Sequence, residues 1–226
     1  MSRVLASITV SAGAIAGTAV AAVSLTAVPF LVKAVSDERQ LAVGTVGLLS
    51  TMQLGGLAIA SWAAPRLMRP RRRVIVASSL LGLAACLVGA LAGNFGVLLA
   101  AVFADGLSLG VIAWIAWAEV FGNNDKIGDI AVIAPVVGLV AAPTITLVLS
   151  LSGTRQLFML LALLNLAPIA FALRGSPPAM TARITRRRHA ANRPALALLA
   201  CLFGTALGGS SLSAYVAVIG RDMNGM

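Results

Sequence analysis

Charge is scarce in this chain. Only 11% of its 226 residues are Asp, Glu, Lys or Arg, and only seven of them are acidic. A soluble domain of this length needs a polar skin, and this composition cannot supply one. Cysteine is nearly absent: Cys86 and Cys201 both lie within apolar runs, which suits small packing residues and argues against a disulfide framework. The single histidine, His189, sits in a basic cluster, so no His/Cys set is available for a metal. Phosphate loops and nucleotide fingerprints are missing as well. The segment Gly106-Leu107-Ser108-Leu109-Gly110 has the G-x-S-x-G spacing of a hydrolase elbow. That chemistry needs a strained strand-to-helix turn and a nearby histidine, and Ser108 lies mid-run with neither. No enzyme activity, metal or cofactor is expected.

What the chain has in quantity is apolar length. Hydrophobic residues make up 59% of it, and its mean hydropathy is +0.98. Seven stretches, 9–32, 41–64, 74–93, 95–118, 130–151, 156–173 and 195–220, are long enough or nearly so to cross a hydrocarbon core of about 30 Å as helices. Backbone groups in lipid must bond internally, and the alternation of a barrel strand is absent, so helices are the expected element. The fold class predicted is an all-α polytopic bundle of about seven transmembrane helices. The first stretch is too long for a signal-peptide core and reads as a retained span. Gly93-Asn94 alone joins the third and fourth stretches, which predicts an antiparallel pair.

The net charge of +10 invites a nucleic-acid reading. Its distribution argues otherwise. Arg66, Arg69, Arg71, Arg72 and Arg73 fall between the second and third stretches, and Arg174, Arg183, Arg186, Arg187, Arg188 and Arg193 follow the sixth. Such clusters are what anchors cytoplasmic loops, and they predict a cytoplasmic N-terminus. The connection 119–129, also expected inside, carries Lys126 against Glu119, Asp125 and Asp129. The expected partner is a lipid bilayer, not nucleic acid, and the expected place a plasma or bacterial inner membrane.

Within the fourth stretch, residues 95–118, Asp105 is the one charged side chain. A carboxylate at that depth costs about 2.5–3.5 kcal/mol on insertion scales. Two readings stand. Asp105, with Ser108 one helical turn on, faces a cavity and handles a proton, a cation or a substrate. Alternatively it makes a helix-packing hydrogen bond, with Gly106 and Gly110 permitting close approach. Softer polar candidates are Thr18 and Thr26 on one face of the first stretch, Gln53 in the second, Asn165 in the sixth, and Trp114 with Trp117 in the fourth. Pro29, Pro135, Pro143 and Pro168 are expected to bend helices.

An internal echo links "GTAVAAVSLTA" (17–27) to "GTALGGSSLSA" (204–214). Six spans, a basic linker and a return to the first span's pattern resemble the major facilitator superfamily of secondary transporters, whose two six-helix halves are repeats. Local segments agree. "PRLMRPRRRV" (65–74) occupies the place of that family's loop signature, keeping its arginines without its aspartate. "APVVGL" (134–139), with Pro135 and Gly138, is similar to the fifth-span pattern of the antiporter branch. "LSGTRQLFMLLALL" (151–164) is similar to the start of its sixth span. The resemblance implies an N-terminal bundle over 1–173, a cytoplasmic linker over 174–193, and the opening of a second half over 194–226. A complete member would continue through five further spans. It also implies alternating-access transport of a small molecule, with "APVVGL" pointing to proton-linked efflux. Import or facilitated passage by the same fold is one rival. A non-transporting seven-span scaffold or subunit is the other.

Overall fold

The computed structural model describes residues 10–120 and 124–174. The chain divides into two compact units, Met1–Arg183 and Ile184–Met226, and every described residue belongs to the first. The expected seventh span, most of the basic linker, His189 and Cys201 lie outside the described residues.

Six helical segments are long and apolar enough to cross a membrane: Ala12–Arg39, Val43–Leu67, Arg72–Ala90, Phe95–Val120, Ile130–Ser152 and Thr154–Arg174. They are called the first to sixth spans below. All described regular structure is α-helical, and the protein is a multi-pass membrane protein of six to seven spans. Leu54, Ile59, Leu139 and Leu151 are exposed. In water such a surface would be untenable; against lipid it is the ordinary outer face.

Several boundaries differ from expectation for local reasons. The first helix does not stop at residue 32 but runs to Arg39, carrying Lys33 and Asp37 as an exposed i,i+4 ion pair at 2.9 Å. It ends where Gln40 turns left-handed and the Ser36 hydroxyl donates to the Leu41 carbonyl. The second span is two pieces, Val43–Val46 and Leu48–Leu67, meeting at Gly47. The third begins at Arg72, so Arg72 and Arg73 are its first turn and not loop residues. The fifth helix starts early, at Asn124. Pro29, Pro135 and Pro143 are all accommodated inside continuous helices.

The sixth span is broken, as Thr154–Leu164 and Leu166–Arg174. Pro168 explains the break: it has no N–H for the Leu164 carbonyl, and its ring would clash there. The helix restarts at Leu166, which leaves Pro168 in a first turn where no intrahelical donor is needed. Asn165 occupies the joint, fully buried, with its Nδ2 donating to the Leu161 carbonyl at 3.0 Å.

Hydrogen bonds between the ends of the helices define an up-and-down bundle. At one end Arg39 donates to the Ala92 carbonyl at 2.6 Å, and Thr154 Oγ1 donates to Glu38 at 2.6 Å. The first, third and fifth connections therefore share that end. At the other, Ser11 caps the first helix and donates through both its backbone N–H and its hydroxyl to Glu119, each at 2.7 Å. Glu119 is thus the buried end of the fourth helix and not part of the 119–129 loop. A carboxylate there complements the partial positive charge of the first helix's N-terminus.

The second and fourth spans form the closest pair. A side chain at Gly56 would strike the Phe103 carbonyl, one at Gly106 the Gln53 carbonyl, and one at Gly110 the Leu57 carbonyl. Three glycines thus let two backbones touch over nearly two turns. The Ser61 hydroxyl adds a bond to the Gly110 carbonyl at 3.2 Å. The largest apolar cluster, including Leu31, Leu49, Leu98, Leu157 and Phe158, fills the half of the bundle toward the first, third and fifth connections. Smaller clusters around Ala116 and around Ile115 close the opposite half.

Candidate functional site

Asp105 borders the largest of these clusters, through Val28, Leu49, Cys86 and Phe158, and is 6% exposed. Its placement follows from its neighbour. Because Gly106 has no side chain, the second span's backbone reaches the fourth at Gln53, and the Gln53 amide then falls on the carboxylate. Gln53 Nε2 donates to Asp105 Oδ2 at 2.9 Å. From the third span, the Cys86 thiol approaches Oδ1 at 3.7 Å, within reach for sulfur. The four polar groups of the pocket come from four spans: Ser24 of the first, Gln53 of the second, Cys86 of the third and Asp105 of the fourth. They surround a cavity of about 10 Å³, room for one water-sized particle. Apolar walls, Leu49 and Phe158 among them, complete it.

Two oxygens in this pocket have no hydrogen-bond partner among the described residues: Ser24 Oγ and Gln53 Oε1. Their residues are 1% and 4% exposed. A serine or threonine hydroxyl in a helix can return to the carbonyl four residues back. Thr18 and Thr26 do this, bonding the Ala14 and Ala22 carbonyls at 2.9 and 2.7 Å. Ser24 does not.

The remaining predicted residues occupy other places. Ser108 belongs to a separate layer, where its hydroxyl donates to the Ser78 carbonyl at 2.7 Å and Ser78 returns the bond at 2.8 Å. This reciprocal pair ties the third span to the fourth. Asn165 meets the same layer at Gly82, whose missing side chain leaves room for both Asn165 Oδ1 and Ser108 Oγ. Trp114 packs half-buried against the cluster of Ile75, Ile115 and Ala172, and Trp117 is exposed. Pro135 is exposed on the fifth span, while Gly138 faces Thr26 of the first. Arg66 stacks on Trp62 at 4.0 Å and donates to that residue's carbonyl. Arg69, Arg71 and Arg73 are exposed, and Arg72 is half-buried.

The structure thus unites Asp105 with Gln53 and leaves Thr18, Thr26, Ser108, Asn165 and Trp114 out of the pocket. Sequence reasoning took Cys86 for a packing residue and did not single out Ser24. A trace of Ser24 was visible, since it is the serine retained in the echo at Ser211. Among the described residues, no group of three His, Cys, Asp or Glu side chains is placed to hold a metal. A scan against known protein-family models and a search of curated proteins find no match to this chain.

Proposed function

We propose that the protein is a secondary active transporter of the major facilitator type, exporting a small, rather apolar compound in exchange for protons. The observation that carries this reading is Asp105, a carboxylate deep within the well-enclosed fourth span and held by a side chain of another span. Intramembrane acids are costly and characteristically mark ion pathways. The sequence resemblance supports it too: the arginine-rich second connection, "APVVGL" in the fifth span and the echo of the first span. Size favours one of two roles for the acid. Small-molecule sites occupy about 300–1,000 Å³, and the cavity at Asp105 is about 10 Å³. That supports reading Asp105 as an ion-coupling group and not as a substrate contact. The substrate would lie near the membrane midplane, as in alternating-access carriers.

The scaffold reading draws on one observation, the Gln53–Asp105 bond, which by itself is an ordinary interhelical contact. Flux separates the two. The purified chain is reconstituted in vesicles with pyranine inside and an imposed pH gradient, and a panel of apolar fluorescent dyes is followed. Gradient-driven movement of a dye against its concentration, with matching proton flow, is expected, and Asp105→Asn abolishes it. Flux that persists in Asp105→Asn removes the acid from the mechanism, and a tight, inert vesicle favours the scaffold. Movement with the proton gradient, not against it, makes the protein an importer.

A further inference from the structure

We propose that the pocket between Ser24, Gln53 and Asp105 binds one small monovalent cation of sodium's class, in place of a proton on the same carboxylate. The proposal rests on the reading of Asp105 as an ion-coupling group and names a ligand for that same site.

Three observations converge. The first is the donor set. A carboxylate, an amide oxygen and a hydroxyl are hard oxygen ligands, the kind that suit a hard, non-transition cation. They come from three different spans, so a bound ion would clamp the first, second and fourth helices together. The second is the state of those oxygens. Ser24 Oγ and Gln53 Oε1 are buried in the pocket wall without a hydrogen-bond partner. The Gln53 amide is orientated with its nitrogen on Asp105, which leaves its oxygen for another electropositive group. Among the described residues nothing else in the pocket serves both: the Cys86 thiol is directed to Asp105 Oδ1, and no described basic side chain lines the cavity. The third is size and charge. A cavity of about 10 Å³ admits one dehydrated ion or one water and excludes an ion with its hydration shell. One carboxylate balances one positive charge, which favours a monovalent ion over a divalent one. In a low-dielectric interior that neutralisation is worth far more than it would be in water.

Thermal unfolding of the purified full chain in detergent tests the site without any transport. Tm is measured at one pH and one ionic strength in sodium, lithium, potassium and choline chlorides. A saturable rise in Tm with sodium or lithium over choline is expected, because a ligand that binds only the folded state stabilises it by mass action. Asp105→Asn and Ser24→Ala should both remain folded in choline and both lose the sodium-dependent shift. Equal midpoints in all four salts would leave the pocket to a water molecule and overturn the proposal. So would a sodium shift that survives in both variants, which places the ion elsewhere. The vesicle experiment stays independent. Asp105-dependent dye flux with no sodium effect on Tm removes only the cation site, and a sodium effect without flux removes only the transporter.

Discussion

At Asp105 one carboxylate meets an amide from the second span and a thiol from the third. Interhelical hydrogen bonds in membranes average about 0.6 kcal/mol and reach about 1.7, so the Gln53 contact alone is a modest brace. Removing one partner is worse, because it leaves the other buried and unmet. Gln53→Leu is therefore expected to destabilise by about 1–3 kcal/mol. The Gln53→Leu/Asp105→Leu double variant should lose less than the sum of its singles, with a coupling of about 0.6–1.7 kcal/mol. Reversible unfolding in mixed micelles measures both. Glu119 is the second buried acid with a defined task, receiving the backbone N–H and hydroxyl of Ser11. Glu119→Ala should cost about 0.5–2 kcal/mol, the scale of a lost helix cap, read in the same assay.

At the scale of elements, the second and fourth spans are held together by shape. Gly56, Gly106 and Gly110 each face a backbone carbonyl of the partner helix, so any added side chain forces the axes apart. Gly106→Val is expected to cost at least the 1–3 kcal/mol typical of overpacking, and to pull Gln53 off Asp105. Gly55, next to Gly56 on the second span, is the control, with nothing within 4 Å of the position a side chain would take. Gly55→Ala should be neutral or stabilising by up to about 1 kcal/mol, since alanine is the better helix former. Equal losses at Gly55 and Gly106 would contradict this packing. Glycines of the first span make room in the same way: Gly13 faces Ala172 of the sixth span and Gly17 faces Ile112 of the fourth.

For the whole molecule, the testable quantity is sidedness. The bundle places Asn94 at the end shared by the first, third and fifth connections, and Arg69 at the opposite end. In a Cys86→Ser, Cys201→Ala background, single cysteines at Arg69 and Asn94 should react with an impermeant maleimide from opposite faces. From the arginine-dense second connection, Arg69 is expected to label from the cytoplasmic face. Labelling of both from one face would break the up-and-down arrangement. Labelling from opposite faces, with Asn94 on the cytoplasmic side, would keep the fold and reverse the orientation.

Hydropathy and loop length were enough to predict helices, their number within the described region and their antiparallel order. Each of these is set locally: an apolar run of about 20 residues in lipid has no alternative to a helix, and a connection as short as 91–94 between spans three and four permits only a hairpin. The anomaly of Asp105 was legible for the same reason, as one charge in a run without others. Its partners were not. Helical periodicity says that Asp105 and Ser108 share a face, yet it cannot say that Gln53 reaches one and Ser78 the other. The Gln53 contact was decided by three glycines bringing the second and fourth backbones together, which depends on register between helices about 50 residues apart in sequence, and the Ser78 contact by the packing of the third span on the fourth. Tertiary packing also chose among equivalent hydroxyls. Thr18, Ser24 and Thr26 all carry a hydroxyl on one apolar helix, and the walls supplied by the second, third, fourth and sixth spans leave Ser24 in the pocket with its oxygen unspent.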